Sequence, residues 1–162
     1  MNEFLILYVL LKRAANIYEI KKYIDTNFAP FVEVSTGAVI PALKRLEKAG
    51  CVISKKIMTE GGLKKTTYTI TQNGLKMLDA YIEQPIAGAP QLLRREVEIL
   101  MLIMSDESFS QEQLAKLHLK IKNALEDNIK RINSALKYGN MNTEFLNMEL
   151  IYSEAKLRML EC

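Results

Sequence analysis

The stretch that decides the fold runs from Glu33 to Gly74: EVSTGAVIPALKRLEKAGCV over 33–52, ISKKIMTEGGLKKTTYTI over 53–70, and TQNG over 71–74. Its first part has a helix's spacing. At about 100° per residue, Val39, Ala42, Leu43 and Leu46 fall on one apolar face. The opposite face is centred on Gly37, Pro41, Lys44 and Lys48, flanked by Ile40 and Arg45, with no acid at its centre and Glu47 near the core edge. Ser35 or Thr36 is placed to cap the helix start, and Gly50 is its natural stop. Pro41 creates a conflict, because proline inside a helix costs about 3 kcal/mol and its ring crowds the carbonyl four residues back. That carbonyl belongs to Gly37, which has no Cβ to add to the crowding. The reading adopted is the earlier start, at Ser35.

The second part has a strand's spacing. Thr66, Tyr68 and Ile70 alternate with Thr67, Thr69 and Thr71, a period of two in strand-forming residues. Cys51 to Met58 is the partner strand, and Gly61 and Gly62 supply the turn between them. Thr71 caps a further helix that turns Leu75, Leu78 and Ile82 inward. Lys55, Lys56, Lys64 and Lys65 make the hairpin cationic, opposed by Glu60 alone. Short helices beside a cationic hairpin suit a winged-helix reader of DNA.

Working outward, Met1 to Lys12 is a dense apolar run of helical length. Asn16 caps a second helix, Ile17 to Phe28, striped by Ile17, Ile20, Lys21 and Ile24, and Ala29-Pro30 ends it. Gln84 to Gln91, with Pro85, Gly88 and Pro90, is the one linker-like segment. Beyond it every pattern is helical: Leu92 to Met104, Gln111 to Lys137, and about Thr143 to Glu161, with Gly139 breaking the chain between the last two. The last helix is apolar on two sides. Phe145, Met148, Tyr152, Ala155 and Met159 make one stripe, and Leu146, Leu150, Leu157 and Leu160 the other. Two apolar faces need more cover than a three-helix tail offers, which points to a second copy of the chain. The expected layout is a head at 1–84, a linker at 85–91 and a helical dimerisation domain at 92–162.

Composition narrows the function. The chain has 162 residues, 49% hydrophobic and 25% charged, with no Trp, 7 Gly and 4 Pro, as in a mostly helical globular protein. Residues 1–82 hold 12 Lys and Arg against 7 Asp and Glu, a net of +5; residues 83–162 hold 10 against 12, a net of −2. A front half that attracts anions is joined to a back half that does not. Phe4 to Leu11, the longest early apolar run, is too short to span a bilayer, and Glu3 before it argues against a signal peptide. Cys51 and Cys162 lie far apart without metal spacing, so a reduced, cytoplasmic protein is the simplest reading, with Cys51 as a small buried hydrophobe. A redox role for Cys51, with Cys162 as partner, is the competing reading. His118, the single histidine, reads as a structural or surface residue. No phosphate loop, catalytic acid pair or nucleophile cluster is present, so the expectation is no enzyme, no cofactor and no metal.

Over residues 35–78 the chain resembles the PadR family of bacterial winged-helix transcriptional regulators. The matching residues are Gly37, then Pro41-Ala42-Leu43-Lys44-Arg45-Leu46-Glu47-Lys48-Ala49-Gly50, then Gly61-Gly62, Lys64-Lys65, Tyr68, Thr71, Gly74 and Leu75. With the front helices, the resemblance covers roughly residues 3–82; the tail matches in length and character. The family usually has Tyr at the position of Ile40, an Arg-Pro-type segment where this chain has Gly62-Leu63-Lys64-Lys65, and Gly at the position of Ile17.

The resemblance implies that the 35–48 helix enters the major groove while the 59–65 turn touches the flanking backbone. The implied DNA-binding residues are Ser35, Thr36, Gly37, Ile40, Pro41, Lys44, Arg45, Lys56, Lys64 and Lys65. A helix start offers free N–H groups to a phosphate, Gly37 permits close backbone approach, and Ile40 can meet a thymine methyl. The expected dimer interface is Leu100, Ile103, Phe145, Met148, Tyr152, Ala155 and Met159. The full expectation is a mostly α protein with a small antiparallel β-hairpin that binds a palindromic double-stranded DNA operator as a homodimer. Repression is the expected outcome, with a small-molecule effector as a further partner and no membrane. Against it stand a plain solvated basic face, a winged-helix module that binds protein instead of DNA, and a repressor of another winged-helix family.

Overall fold

The computed structural model describes residues 1–58, 64–86, 90–139 and 142–161, with the backbone alone at 90 and 91. The chain divides into two units, Met1–Tyr81 and Ile82–Cys162. Seven helices and one two-stranded antiparallel hairpin make up the described residues.

The first unit is built around α1 (Asn2–Lys12), in which seven consecutive residues, Phe4 to Leu10, are buried. A helix apolar on all sides must be covered on all sides, so α1 is the central rod. Phe4 stacks on Tyr81 with ring centres 4.1 Å apart, and Tyr8 meets Tyr23 and Phe28 edge-on. The helix α2 (Ile17–Phe28) has the expected bounds and buries Ile20, Ile24 and Phe28. Its start is a full capping box: the Glu19 N–H donates to Asn16 Oδ1 at 3.0 Å, and the Asn16 N–H donates to Glu19 Oε2 at 2.8 Å.

The helix α3 (Thr36–Lys48) keeps Pro41 inside it, as the earlier start requires. Ser35 Oγ accepts from the Ala38 N–H at 3.2 Å. Val39, Ala42, Leu43 and Leu46 are all buried. Gly50, at φ +68°, ends the helix in a Schellman motif: its N–H reaches Glu47 O, and the Cys51 N–H reaches Leu46 O. The proposed relief of Pro41 by Gly37 is corrected, because a Cβ at position 37 would meet only Ser35 Oγ, at 3.6 Å, among the described residues.

The strands β1 (Val52–Met58) and β2 (Lys64–Ile70) pair in register from Val52 opposite Ile70 to Met58 opposite Lys64. The second strand therefore starts two residues before the alternating run. The hairpin is pinned to the helices by a bridge that has no local signal: Ala15 and Tyr68 exchange both backbone hydrogen bonds, at 3.1 and 2.9 Å. Thr71 caps α4 (Gln72–Glu83) by accepting from the Gly74 N–H, and its hydroxyl donates to Gly50 O at 2.6 Å. At Gly74 the α4 backbone lies against β1's approach; a Cβ there would sit 2.2 Å from Cys51 O. The turn glycines Gly61 and Gly62, and Glu60, lie outside the described residues.

In the second unit α5 (Pro90–Met104), α6 (Gln111–Lys137) and α7 (Thr143–Leu160) share a core of Val97, Ile99, Leu100, Ile103, Leu117, Ile121 and Leu125, among others. Ser110 and Gln113 form the capping box of α6, and Gly139, at φ +69°, follows its end. One buried polar pair fixes α6 against α7: Asn128 Nδ2 donates to Ser153 Oγ at 3.1 Å. The Lys120 ammonium is also buried, 3.3 Å from Glu96, and desolvation lowers its pKa below the usual lysine range. Leu100 and Ile103, expected at a face between copies, are 0% exposed within their own chain.

Candidate nucleic-acid interface

The apolar face of α3 is sunk into the first unit, which leaves its other face outward. Ser35, Thr36, Gly37, Pro41, Lys44, Arg45 and Lys48 are exposed, and Ile40 is 37% exposed. The helix start therefore presents two small hydroxyl residues and a glycine that packing does not require. Ser54 on β1 donates to Glu47 Oε1, tying the base of the hairpin to the C-terminal half of α3. On the hairpin, Lys55, Lys56 and Lys64 are exposed. Together with Lys44 and Lys48 they pair with no described carboxylate.

Two of the expected cations are held. Arg45 Nε donates to Glu3 Oε1 at 2.6 Å, and Lys65 Nζ donates to Glu19 Oε1 at 2.8 Å. The Lys65 hydrogen bond and that of the Asn16 N–H hold the Glu19 carboxyl below the usual carboxylate range. Around this pair lies a hollow of about 500 Å³, lined by Arg13, Tyr18, Lys22 and Lys65 among others. Arg13, Tyr18 and Lys22 were not among the expected site residues. Tyr18 is 70% exposed at the second position of α2, off the apolar stripe, and that misfit is the signal from which it could have been found. The 59–63 part of the expected wing contact lies outside the described residues.

Cys51 is buried, its thiol held by desolvation above the ordinary cysteine range, as suits a small core residue. Its suggested partner, Cys162, lies outside the described residues. His118 is half-buried on α6. Among the described residues no group of three or more His, Cys, Asp or Glu is placed to hold a metal ion. No helix among them is long and apolar enough to cross a membrane.

In the second unit, α7 buries Ser153 and leaves Phe145, Met148, Ile151 and Met159 exposed, at 57–68%. Tyr152 and Ala155, from the same expected stripe, are half-buried. The Tyr152 hydroxyl donates to Glu98 at 2.9 Å and its ring lies 4.3 Å from the Arg94 guanidinium, so it is engaged inside its own unit. Ile151 was missed because it lies between the two stripes. A separate hollow of about 310 Å³ lies among Ile86, Leu93, Lys116, Lys120 and Asn123.

Residues 6–80 match the Transcriptional regulator PadR-like family. The fold matches that of Bacillus subtilis PadR in complex with operator DNA, at 19% identity, over 98% of this chain and 94% of that one, with a TM-score of 0.50. Also similar are a transcriptional regulator from Clostridium thermocellum (28% identity, 50% of this chain, 78% of that one, TM-score 0.46) and Bacillus subtilis PadR in complex with p-coumaric acid (17%, 98%, 90%, TM-score 0.44). No curated protein matches the chain by sequence. With a winged helix-turn-helix in its first unit and helices in its second, this chain carries the pattern of the Transcriptional regulator PadR-like family over residues 6–80.

Proposed function

We propose that this protein is a sequence-specific DNA-binding transcriptional repressor of the cytoplasm that reads a palindromic operator as a homodimer. The observation that carries the reading is the outward face of α3, which holds small donors at its start and Lys44 and Lys48 beyond, beside a hairpin with three exposed lysines. In this reading Ser35, Thr36 and Gly37 bring the helix start against a phosphate, where free N–H groups and the helix dipole favour an anion. Pro41 and Ile40 face the base edges. Lys44, Arg45, Lys56, Lys64 and Lys65 neutralise the backbone. Bacillus subtilis PadR in complex with operator DNA supports it by analogy of fold.

The exposed row Phe145, Met148, Ile151 and Met159 supports dimerisation through α7. Two heads joined in this way can read half-sites about one duplex turn, or roughly 34 Å, apart. The p-coumaric acid complex is a property of the Bacillus subtilis protein. For this chain the 310 Å³ hollow in the second unit has the volume for a small effector.

Retardation of random-sequence duplex at two salt concentrations tests the reading: binding that weakens steeply with salt is expected, and no retardation at low salt overturns it. One observation favours the rival in which the head binds protein: Ile53, Ile57 and Met58 are exposed along β1. If these residues form the contact, replacing all three by Ser removes a protein partner and leaves duplex binding alone.

A further inference from the structure

Among the described residues, Glu19 is the acid that forms an ion pair with a hairpin lysine, and it is held from two sides. Oε2 accepts the Asn16 N–H at 2.8 Å as part of the α2 capping box, while Oε1 accepts Lys65 at 2.8 Å across 46 residues of sequence. The two contacts have different consequences. Lys65 is a long, flexible chain with about a third of its surface open, and it can swing to another oxygen. Glu19 is held by the capping box, in the lining of the hollow that also contains Arg13, Tyr18 and Lys22.

We infer that Glu19 is an internal competitor for the DNA backbone: its carboxylate occupies Lys65 in the free protein and must surrender it to a phosphate when duplex binds. The inference rests on the DNA reading above. A phosphate oxygen offers Lys65 the same kind of acceptor that Glu19 does, so the exchange replaces one charge-assisted hydrogen bond with another. Duplex must break the Lys65–Glu19 pair before a phosphate gains Lys65, and the strength of that pair is subtracted from binding. The net effect is a brake on backbone binding, which acts on every sequence alike. Discrimination between operator and other DNA then depends more on the base contacts of α3, since phosphate contacts carry no sequence information. Exposed ion pairs are individually weak, so the brake is mild, on the order of two- to fivefold in affinity.

Glu19→Gln separates the two contacts, because Gln at this position preserves a capping box while ending the ion pair. Retardation of a random-sequence duplex is measured for the wild type, Glu19→Gln, Lys65→Ala and the double variant. The expected result is a two- to fivefold gain for Glu19→Gln over the wild type, and no gain when the same change is made in Lys65→Ala. An equal gain in both backgrounds means that Glu19 acts as a general negative charge, and overturns the inference; so does no gain at all. Failure of the wild type to bind overturns the DNA reading itself, a distinguishable outcome. A readout on the unaltered protein is the carboxyl resonance of Glu19 followed against pH. Its ionisation should move upward when duplex is added, as Lys65 leaves and a phosphate arrives; an unmoved titration with duplex bound overturns the inference.

Discussion

Gly37→Ala separates what the fold needs from what a ligand needs. Position 37 is the second residue of α3, has helical backbone, and is exposed. A Cβ built there meets only Ser35 Oγ, at 3.6 Å, an ordinary contact. Nothing in the described protein is disturbed, so the change in stability should come from backbone entropy: Ala is favoured over Gly in a helix by about 0.5–1 kcal/mol. For a unit of this size that corresponds to a rise of roughly 2–8 °C in melting temperature. Binding should move the other way. If the α3 start lies against a phosphate, a methyl group at position 37 pushes the backbone N–H groups away from it. Losing one charge-assisted hydrogen bond costs about 1.5–3 kcal/mol, which is roughly a ten- to hundredfold loss of affinity. Thermal unfolding and duplex retardation on the same preparation give both numbers. A variant that melts higher and binds duplex as tightly as the wild type refutes the close-approach reasoning. One that melts lower refutes the account of α3's start.

Gly74→Ala should do the reverse, since its Cβ would lie 2.2 Å from Cys51 O and force backbone apart. A loss of about 2–3 kcal/mol is expected by denaturant titration, well beyond any helix-propensity gain. In the second unit, Phe145→Glu with Met148→Glu should halve the mass seen by light scattering and leave the melting temperature of the unit nearly unchanged; an unaltered mass removes α7 from the interface. Asn128→Ala should cost about 1–3 kcal/mol by leaving Ser153 buried without its donor, whereas Asn128→Leu with Ser153→Ala should recover much of it. Equal losses in the single and double variants would show that the pair's hydrogen bond is not what matters.

Much of this architecture was legible because the signals are local. The bounds of α2 and α6 follow from apolar stripes between a capping residue and a breaker. The start of α3 at Thr36 follows from Ser35 despite Pro41, because four inward residues outweigh one missing N–H. What escaped was long-range. Lys64 and Lys65 are poor strand formers, yet they lie in β2 because Met58 and Ile57 pair with them. The Ala15–Tyr68 bridge joins a four-residue connection to a strand far along the chain, and no periodicity announces it.

The same distinction governs the site. Spacing along α3 identifies which side chains point away from the core, but not which of the outward cations is already committed. Arg45 and Lys65 find their carboxylates 42 and 46 residues away, so two of the ten expected DNA contacts begin from a paired state that no local pattern reveals. Hydrophobic patterning has a matching blind spot: it marks Leu100 and Met148 equally as residues that avoid water, and only the packed unit separates the one its own chain covers from the one it leaves open. Leu100→Ala should accordingly cost about 2–5 kcal/mol of stability by opening a cavity, with no change in the mass of the folded particle. A fall in mass at unchanged stability would return Leu100 to the interface and show that the second unit packs differently when two copies meet.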